Sequence, residues 1–322
     1  MKRKEIVTIK QENSLVLEKD YSGALENFLV AQELSESSKS SYRKKIKAFL
    51  FFLASKHLPF NNTSILEYKA YLLEQTKEVN GEQTRLYSSY TVNAYLTSIK
   101  LFANFLDIPV KVKGLKQKRK SFNKDALTID QAKKLVSCLD KDSTITGKRN
   151  KALILLMLLT GLRTIELERA NIQDIRNAQD KTVLFVQGKG RSEKDDFVVL
   201  TEQAQDAISD YLRARFQNKT PEQGALFVSF SNRAKNKRLH TLSIRLIAKE
   251  IFSQVGINSA KISTHSLRHT AITLALISGA TLQEAQAMAR HGDIKTTLIY
   301  AQNLNRLQDD NPEQRISNLL FS

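Results

Sequence analysis

Residues 265–269 read His265-Ser266-Leu267-Arg268-His269, and this short stretch decides the interpretation of the chain. If the stretch begins a helix, positions 265 and 268 are three residues apart and share one helix face. An imidazole and a guanidinium then come together at one point. Taken alone, the same letters also describe the N-terminal turn of a helix that carries incidental charge. The residues that flank the stretch separate these two interpretations.

Four further residues lie at the ends of predicted elements on either side. They are Arg163, Lys189, His291 and Tyr300. Arg163 follows a predicted buried helix over 148–160 that ends at Gly161, because glycine suits the left-handed turn after a helix. Lys189 lies at the tip of a predicted hairpin between β-rich runs at 182–187 and 196–200. Singly, three of these residues have an ordinary explanation. Arg163 could form a helix-end ion pair, Lys189 could be solvated, and Tyr300 could simply pack in the core.

Together these residues resemble a known signature. The tyrosine recombinase or integrase family carries Arg, Lys, His-x-x-Arg, His and Tyr, and the similar positions here are Arg163, Lys189, His265 with Arg268, His291 and Tyr300. All six positions are filled in order, and the resemblance extends from Thr128 to about Gln302. One departure is Ala289-Arg290 before the second histidine, where the family usually has Leu-Gly. We expect it to leave catalysis intact and to alter how the loop turns.

Three of these residues suit the negative charge of a reacting phosphodiester. Attack on the phosphorus builds charge on the nonbridging oxygens, and guanidiniums are forked, permanently charged donors for such oxygens. Arg163 and Arg268 are the candidates for this role. His291 is expected to hydrogen-bond the phosphate and support the transition state.

The remaining candidates handle bond formation and proton transfer. The phenol of Tyr300, with an ordinary pKa near ~10, needs a proton acceptor such as His265 to become a nucleophile. Lys189 can donate a proton to the departing 5′ oxygen. The resemblance implies a 3′-phosphotyrosyl link that conserves the phosphodiester energy. We therefore expect no ATP, metal or other cofactor, and the sequence has neither a P-loop nor clustered carboxylates.

The resemblance implies a mainly α fold with a small β-sheet or hairpin in the C-terminal domain. It also implies that a helical core-binding (SAM-like) domain and a tyrosine recombinase catalytic domain form a clamp around DNA. The expected divisions are an N-terminal extension (1–20), the core-binding domain (21–108), a basic interdomain linker (109–122), the catalytic domain (123–302) and a tail (303–322). Helical spacing of apolar residues predicts about four helices in the first domain, two of them at 38–55 and 88–106.

The charge of the chain favours a polyanionic partner. Its 322 residues include 50 Lys and Arg against 33 Asp and Glu, a formal net charge of +17. A basic protein that docks on anionic lipid, or one that is simply soluble, remains the alternative. The candidate DNA contacts are Lys39, Arg43, Lys44, Lys47, Lys100, Lys116, Lys118, Arg119 and Lys120. A solvated helix face and a solvated linker are the other interpretations of these residues.

Cysteine usage and hydropathy exclude several classes of protein. The single cysteine, Cys138, excludes a disulfide framework and any cysteine-based metal cluster. The longest apolar run, 152–159, falls well short of the ~18 residues that a membrane span needs. We expect a cytoplasmic, nucleoid-associated protein of a prokaryote, with no membrane partner.

The resemblance also implies an assembly. Four protomers are expected to bring together two specific DNA sites and exchange strands in two steps through a four-way junction, with accessory DNA-bending or directionality proteins. Apolar residues in the tail either dock on a neighbouring protomer or pack on their own chain. They are Ile316, Leu319, Leu320 and Phe321.

Several biological roles fit this pattern. The short segment before the helical domain is similar to the layout of simple Xer-like recombinases, which small mobile elements also use. We favour integration or recombination of a mobile element. The alternatives are Xer-like resolution of chromosome or plasmid dimers, a type IB topoisomerase, and a non-catalytic DNA-binding regulator.

Overall fold

The computed structural model of the chain describes residues 17–79, 81–116, 125–188, 190–217, 219, 223–305, 316 and 319–320. The side chains of 17–20 and 302–305 are outside that description. The chain forms two compact units, Met1–Arg119 and Lys120–Ser322. Most described residues are helical, and the strands form two small antiparallel sheets. The prediction of a mainly α protein with a small sheet in its C-terminal half is confirmed.

The first unit has four helices and a hairpin among its described residues. They are α1 (Leu17–Ala31), α2 (Glu36–Ser55), α3 (Asn62–Glu74), β1 (Thr76–Val79), β2 (Glu82–Arg85) and α4 (Ser89–Phe105). The helices pack their apolar faces into an aromatic-rich core that contains Phe28, Phe49 and Phe102. The predicted helices at 38–55 and 88–106 are confirmed, with ends within about two residues of those expected.

The β1–β2 hairpin lies in a polar stretch of the sequence for which no strand was predicted. Its register runs from Thr76 opposite Arg85 to Val79 opposite Glu82. Nearly every residue of both strands is exposed, so neither strand shows the alternation of apolar and polar residues that marks a half-buried strand. Gly81 lies in the turn with φ 81°, a conformation that glycine adopts without steric cost.

Part of the segment expected to be an exposed linker packs on the first unit. Val112 is buried in the core of that unit. The backbone N–H of Lys111 donates to Asn62 Oδ1 at 2.8 Å. The side chain of Asn93 accepts from Leu115 N at 2.7 Å and donates to Leu115 O at 3.0 Å. Residues 109–116 are therefore tied to the helical unit, whereas residues 117–122 lie outside the described part of the chain.

The second unit is larger. Its described elements are α5 (Ile129–Leu139), α6 (Ile145–Thr160), α7 (Thr164–Arg169), a 3-10 turn (Ile172–Asp174), β3 (Ile175–Ala178), β4 (Lys181–Val186), β5 (Asp196–Val199), α8 (Glu202–Phe216), α9 (Thr241–Gln254), α10 (Thr264–Ile277), α11 (Leu282–Ala289) and α12 (Ile294–Asn305). Strands β3, β4 and β5 form an antiparallel sheet in that order. The two predicted β-rich runs are confirmed as β4 and β5, and β3 is an additional edge strand.

Helix α6 is the centre of this unit. It is buried on nearly all sides and packs against α5, α8 and α10. It ends at Gly161, which adopts φ 64° and donates its N–H to Met157 O, as predicted for a glycine C-cap. The chain then passes through buried Leu162 and places Arg163 at the start of α7.

Helices α10, α11 and α12 form a smaller apolar cluster at the C-terminal end of the unit. Its buried members are Ile272, Ala285, Ala289 and Tyr300. Helix α10 begins at Thr264, so the decisive stretch 265–269 occupies its first turns, as predicted. None of the described helices is both long and apolar enough to cross a membrane.

Candidate active site

Arg163 is fixed by the first turn of α7. It occupies the N-cap position, and its backbone N–H donates to Glu166 Oε2 at 2.7 Å. Its Nη1 donates to Glu166 Oε1 at 2.9 Å. The side chain of Arg163 is 29 % exposed. One guanidinium edge is thus held by the protein while the residue stays accessible to a ligand.

Glu166 is a buried carboxylate that binds two arginines. Besides Arg163, it accepts from Nη2 of Arg290, with 2.9 Å between Nη2 and Oε2. Burial alone would raise the pKa of the Glu166 carboxyl, but the charges of Arg290 and Arg163 and the hydrogen bonds from Arg163 lower it below its ordinary value. The carboxylate is therefore ionised at neutral pH. The sequence pattern assigned Glu166 no role, although a glutamate at this position of a helix often binds the backbone N–H of the N-cap residue.

Arg290 is the residue that departs from the family pattern, and its backbone turns the way a glycine would. It caps α11 with φ 52° in the left-handed region, which costs a non-glycine residue roughly 1 kcal/mol. Its Nη1 donates to Met288 O at 2.7 Å. Its side chain is 6 % exposed and points back towards Glu166.

Arg268 of α10 is buried, at 1 % exposure. Its Nη1 donates to Gly161 O at 2.6 Å, and its Nη2 donates to Ala289 O. Burial, followed by the charges of Arg163 and Arg290, lowers the pKa of Arg268 to about 9, which leaves it protonated at pH 7. The structure therefore brings both predicted arginines, and a third one, to the junction of α6, α7, α10 and α11.

His265 and His269 lie one turn apart on α10. The side chain of His265 is exposed, and that of His269 is buried. Their ring centroids are 4.5 Å apart in an edge-to-face arrangement, and the ring of His269 is 5.1 Å from that of Tyr300. Burial, followed by the charges of His265 and Arg268, lowers the pKa of His269 to about 4. His269 received no role from the sequence, yet its ring contacts both the predicted nucleophile and the predicted proton acceptor.

His291 lies in the loop between α11 and α12. Its Nδ1 shares a hydrogen bond with the buried hydroxyl of Thr297 at 2.9 Å, and its ring centroid is 6.3 Å from that of Tyr300. Burial, followed by the charges of Arg268 and Arg163, lowers the pKa of His291 to about 4. The imidazole is neutral at pH 7, and Thr297 fixes the orientation of its ring.

Tyr300 projects from α12 into the apolar cluster and is 3 % exposed. Burial raises the pKa of its phenol to about 12, against the opposing effect of the charges of Arg268 and Arg163. The phenol is therefore protonated at rest. To act as a nucleophile it needs both a proton acceptor and access to a substrate.

Lys189 lies outside the described residues. The hairpin on its N-terminal side is anchored beside the site, because Nη1 of Arg169 in α7 donates to Gly188 O at 3.2 Å. Among the described residues, no cluster of three or more His, Cys, Asp or Glu side chains is placed to hold a metal ion.

The candidate DNA contacts of the first unit differ in their pairing. Arg43 donates twice to Glu26, at 2.9 and 2.8 Å, and Lys39 forms an ion pair with Glu36. Lys44, Lys47 and Lys116 are exposed, and Lys100 is half-buried. Lys118, Arg119 and Lys120 lie outside the described part of the chain. The exposed lysines are better placed for phosphate contact than Arg43, whose fork is already occupied.

Comparisons with known proteins agree on one family. The model of the phage integrase family matches residues 125–306. The tyrosine recombinase XerD of Rickettsia bellii is 28 % identical over 290 residues, which cover 86 % of this chain and 91 % of XerD. The tyrosine recombinase XerC of Caldanaerobacter subterraneus subsp. tengcongensis is 29 % identical over 322 residues, covering 91 % and 87 %.

A solved structure shares the fold. The XerH site-specific recombinase, in a post-cleavage complex with a palindromic difH substrate, superimposes with a TM-score of 0.68 at 18 % identity, covering 91 % of this chain and 83 % of XerH. At this identity the likeness concerns the fold alone.

Proposed function

The chain belongs to the phage integrase family and is a tyrosine-type site-specific recombinase that cuts and rejoins DNA, and we propose that Tyr300 is its nucleophile. One observation carries this assignment. The Tyr300 ring lies beside those of His269 and His291, and the charges of Arg268 and Arg163 offset part of the rise in its pKa that burial causes. Family membership sets the topoisomerase and regulator interpretations aside.

The proposed cleavage step forms one bond and breaks one. The Tyr300 oxygen attacks the phosphorus, the bond from phosphorus to the 5′ oxygen breaks, and a 3′-phosphotyrosyl link remains. Arg163 and Arg268 donate to the nonbridging oxygens, where charge develops. Lys189 protonates the leaving 5′ oxygen, and His291, neutral and held by Thr297, donates to the phosphate. Rejoining reverses these bond changes and proton transfers, so the proposed reaction needs no cofactor.

The proton of Tyr300 needs an acceptor, and we assign this role to His265. The ring of His269 contacts both residues, with its centroid 4.5 Å from that of His265 and 5.1 Å from that of Tyr300. Replacement of His265 by Gln is expected to slow adduct formation at neutral pH, and the rate should recover at high pH, where hydroxide can take the proton. His269→Gln, which removes a ring contact and not the acceptor, should show no such recovery. Recovery at high pH by His269→Gln, and not by His265→Gln, would move the acceptor role to His269.

The test is adduct formation on a nicked duplex that carries the recombination site, with EDTA present and denaturing electrophoresis as the readout. We expect a covalent protein–DNA product from the native chain and none from Tyr300→Phe, because phenylalanine has no nucleophilic oxygen. Tyr211→Phe is the matched control, since Tyr211 is another buried tyrosine of the same unit. An adduct from Tyr300→Phe would refute the assignment.

Besides binding DNA, the chain is proposed to assemble with other copies of itself. We infer that four protomers bring together two sites and that the two units of each protomer clamp the duplex. Exposure of Ile316, Leu319 and Leu320 supports a tail that docks on a neighbouring protomer rather than on its own chain. Removal of residues 306–322 is expected to leave binding of one site intact and to reduce joining of two sites in a gel-shift assay. Unchanged joining would favour the self-packing alternative.

Two biological roles remain, and both would be carried out on the DNA of the nucleoid in the cytoplasm. Recombination of a mobile element is our first proposal. Resolution of chromosome or plasmid dimers is the second, favoured because XerD and XerC relatives match most of this chain and most of their own length. Sequencing the DNA bound by the Tyr300→Phe variant in its host would separate them. Sites at the ends of an inserted element support the first role, and a single site per replicon supports the second.

A further inference from the structure

We propose that Arg290 is a positioning residue for DNA cleavage, which shares the Glu166 carboxylate with Arg163 and thereby leaves Arg163 with the charge that it needs for the phosphate. The inference rests on the proposed role of Arg163. It assigns a function to the residue at which this chain departs from the pattern of its family.

The contacts divide the carboxylate between the two arginines. Oε1 of Glu166 accepts from Nη1 of Arg163, and Oε2 accepts from the backbone N–H of Arg163 and from Nη2 of Arg290. The carboxylate is fully buried, so water does not compete for these oxygens. The distance between Nη2 of Arg290 and Oε2 is 2.9 Å, within the range of a charge-assisted hydrogen bond.

The charge balance depends on Arg290. A pair of Arg163 and Glu166 alone is neutral, which would weaken the attraction of Arg163 for a phosphate oxygen. With Arg290 the group of three carries one net positive charge, and the buried Arg268 adds a second nearby. Arg290 itself is 6 % exposed and also donates to Met288 O, so it acts through Glu166 while the more exposed Arg163 faces the DNA.

The backbone of Arg290 provides a clean variant. Its φ of 52° lies in the region that favours glycine. Arg290→Gly therefore removes the guanidinium without adding backbone strain, and it restores the residue that the family usually has. Arg290→Lys keeps the charge without the fork.

The experiment measures single-turnover cleavage of the nicked duplex at saturating DNA, with DNA affinity measured separately. For Arg290→Gly we expect cleavage to slow about 10- to 100-fold, by analogy with the loss of a residue that orients a metal ligand, while the Kd for DNA changes much less. Arg290→Lys should recover part of the rate. Arg213→Met, which removes an exposed arginine of α8, is the control for the loss of one positive charge. A thermal unfolding curve of each variant identifies any loss of folding.

A double variant tests the route through Glu166. If Arg290 acts by offsetting the carboxylate, Arg290→Gly should cost less in a Glu166→Gln background than in the native one. Equal losses in the two backgrounds, or native cleavage by a folded Arg290→Gly chain, would overturn the inference. If Arg290→Gly fails to fold, Arg290→Lys is compared in the native and Glu166→Gln backgrounds instead, and an equal rate loss in both would overturn the inference. Arg163→Gln separates this inference from the proposed function on which it rests. Normal cleavage of DNA by this variant would refute the proposed role of Arg163 itself.

Discussion

Arg268 is the largest side chain that is completely buried in the described part of the chain. Its guanidinium donates to Gly161 O and Ala289 O, which belong to the loops after α6 and α11. One residue therefore joins three helices and also supplies charge to the site. We expect a variant at this position to lose stability as well as activity.

The change Arg268→Met should lower the free energy of unfolding by about 2 kcal/mol, because two buried carbonyl oxygens lose a charged donor. Urea denaturation followed by circular dichroism measures it. Arg213→Met serves as the comparison, since Arg213 is exposed on α8. A stability equal to that of the native chain would show that water or another donor replaces the guanidinium.

The two buried histidines predict a dependence of stability on pH. The pKa of His269 and that of His291 are about 4 in the folded chain, against an ordinary value of 6.5. Between these values the unfolded chain binds protons that the folded chain does not, so stability is full above pH 6.5 and falls as the pH drops towards 4. Urea midpoints should therefore decrease from about pH 7.5 to about pH 5.5.

The double variant His269→Gln, His291→Gln should flatten this dependence, because the groups that take up protons on unfolding are gone. His57→Asn is the matched control, since His57 is exposed and lies in a left-handed conformation that asparagine tolerates. An unchanged slope in the double variant would mean that other groups set the response to acid.

At the scale of residues, the spaced pattern named side chains that the structure places near one another, but it missed contacts that are purely tertiary. The structure brings Arg163, Arg268, His291 and Tyr300 together, although they lie far apart in sequence. The hydrogen bond between Arg290 and Glu166 joins residues 124 positions apart, and no local sequence spacing predicts it. The roles assigned to the site residues, that of Lys189 included, stay predictions until the variants are measured.

Helix ends were the most predictable feature at the scale of elements. A capping box begins α5, in which Thr128 Oγ1 accepts from Gln131 N at 3.1 Å and Gln131 Oε1 accepts from Thr128 N at 3.0 Å. Thr128→Ala should reduce the free energy of unfolding by about 1 kcal/mol. Lys134→Ala, in the exposed middle of the same helix, provides the control for a surface change in chemical denaturation. A loss as small as that of the control would indicate that another group caps the helix.

The strands were harder to predict because several are held by backbone pairing alone. Strands β1 and β2 are exposed and polar, so their pairing leaves no hydrophobic period in the sequence. Strand β3, Ile175–Ala178, has only four residues at the edge of its sheet. Strand β4 was recognisable because it carries buried Val183, Leu184 and Val186.

At the scale of the whole molecule, the excess of 17 positive charges predicts DNA binding that weakens steeply with salt. Each lysine that contacts a phosphate contributes about 0.9 to the slope of log affinity against log salt. Lys44→Gln with Lys47→Gln should therefore reduce the slope by about 2. The double change Lys133→Gln, Lys134→Gln on α5 removes the same charge and is the control, and equal slopes for the two double variants would exclude the α2 lysines from the contact.

A basic recombinase encounters far more non-target DNA than target sites, and its positive charge binds it to both kinds of DNA. Tyr300 is only 3 % exposed in the isolated chain. If it is the nucleophile, as we propose, its oxygen must become accessible before it can reach a backbone phosphate. The packing of this one aromatic ring would then limit the accidental strand breaks that the enzyme makes at other sequences.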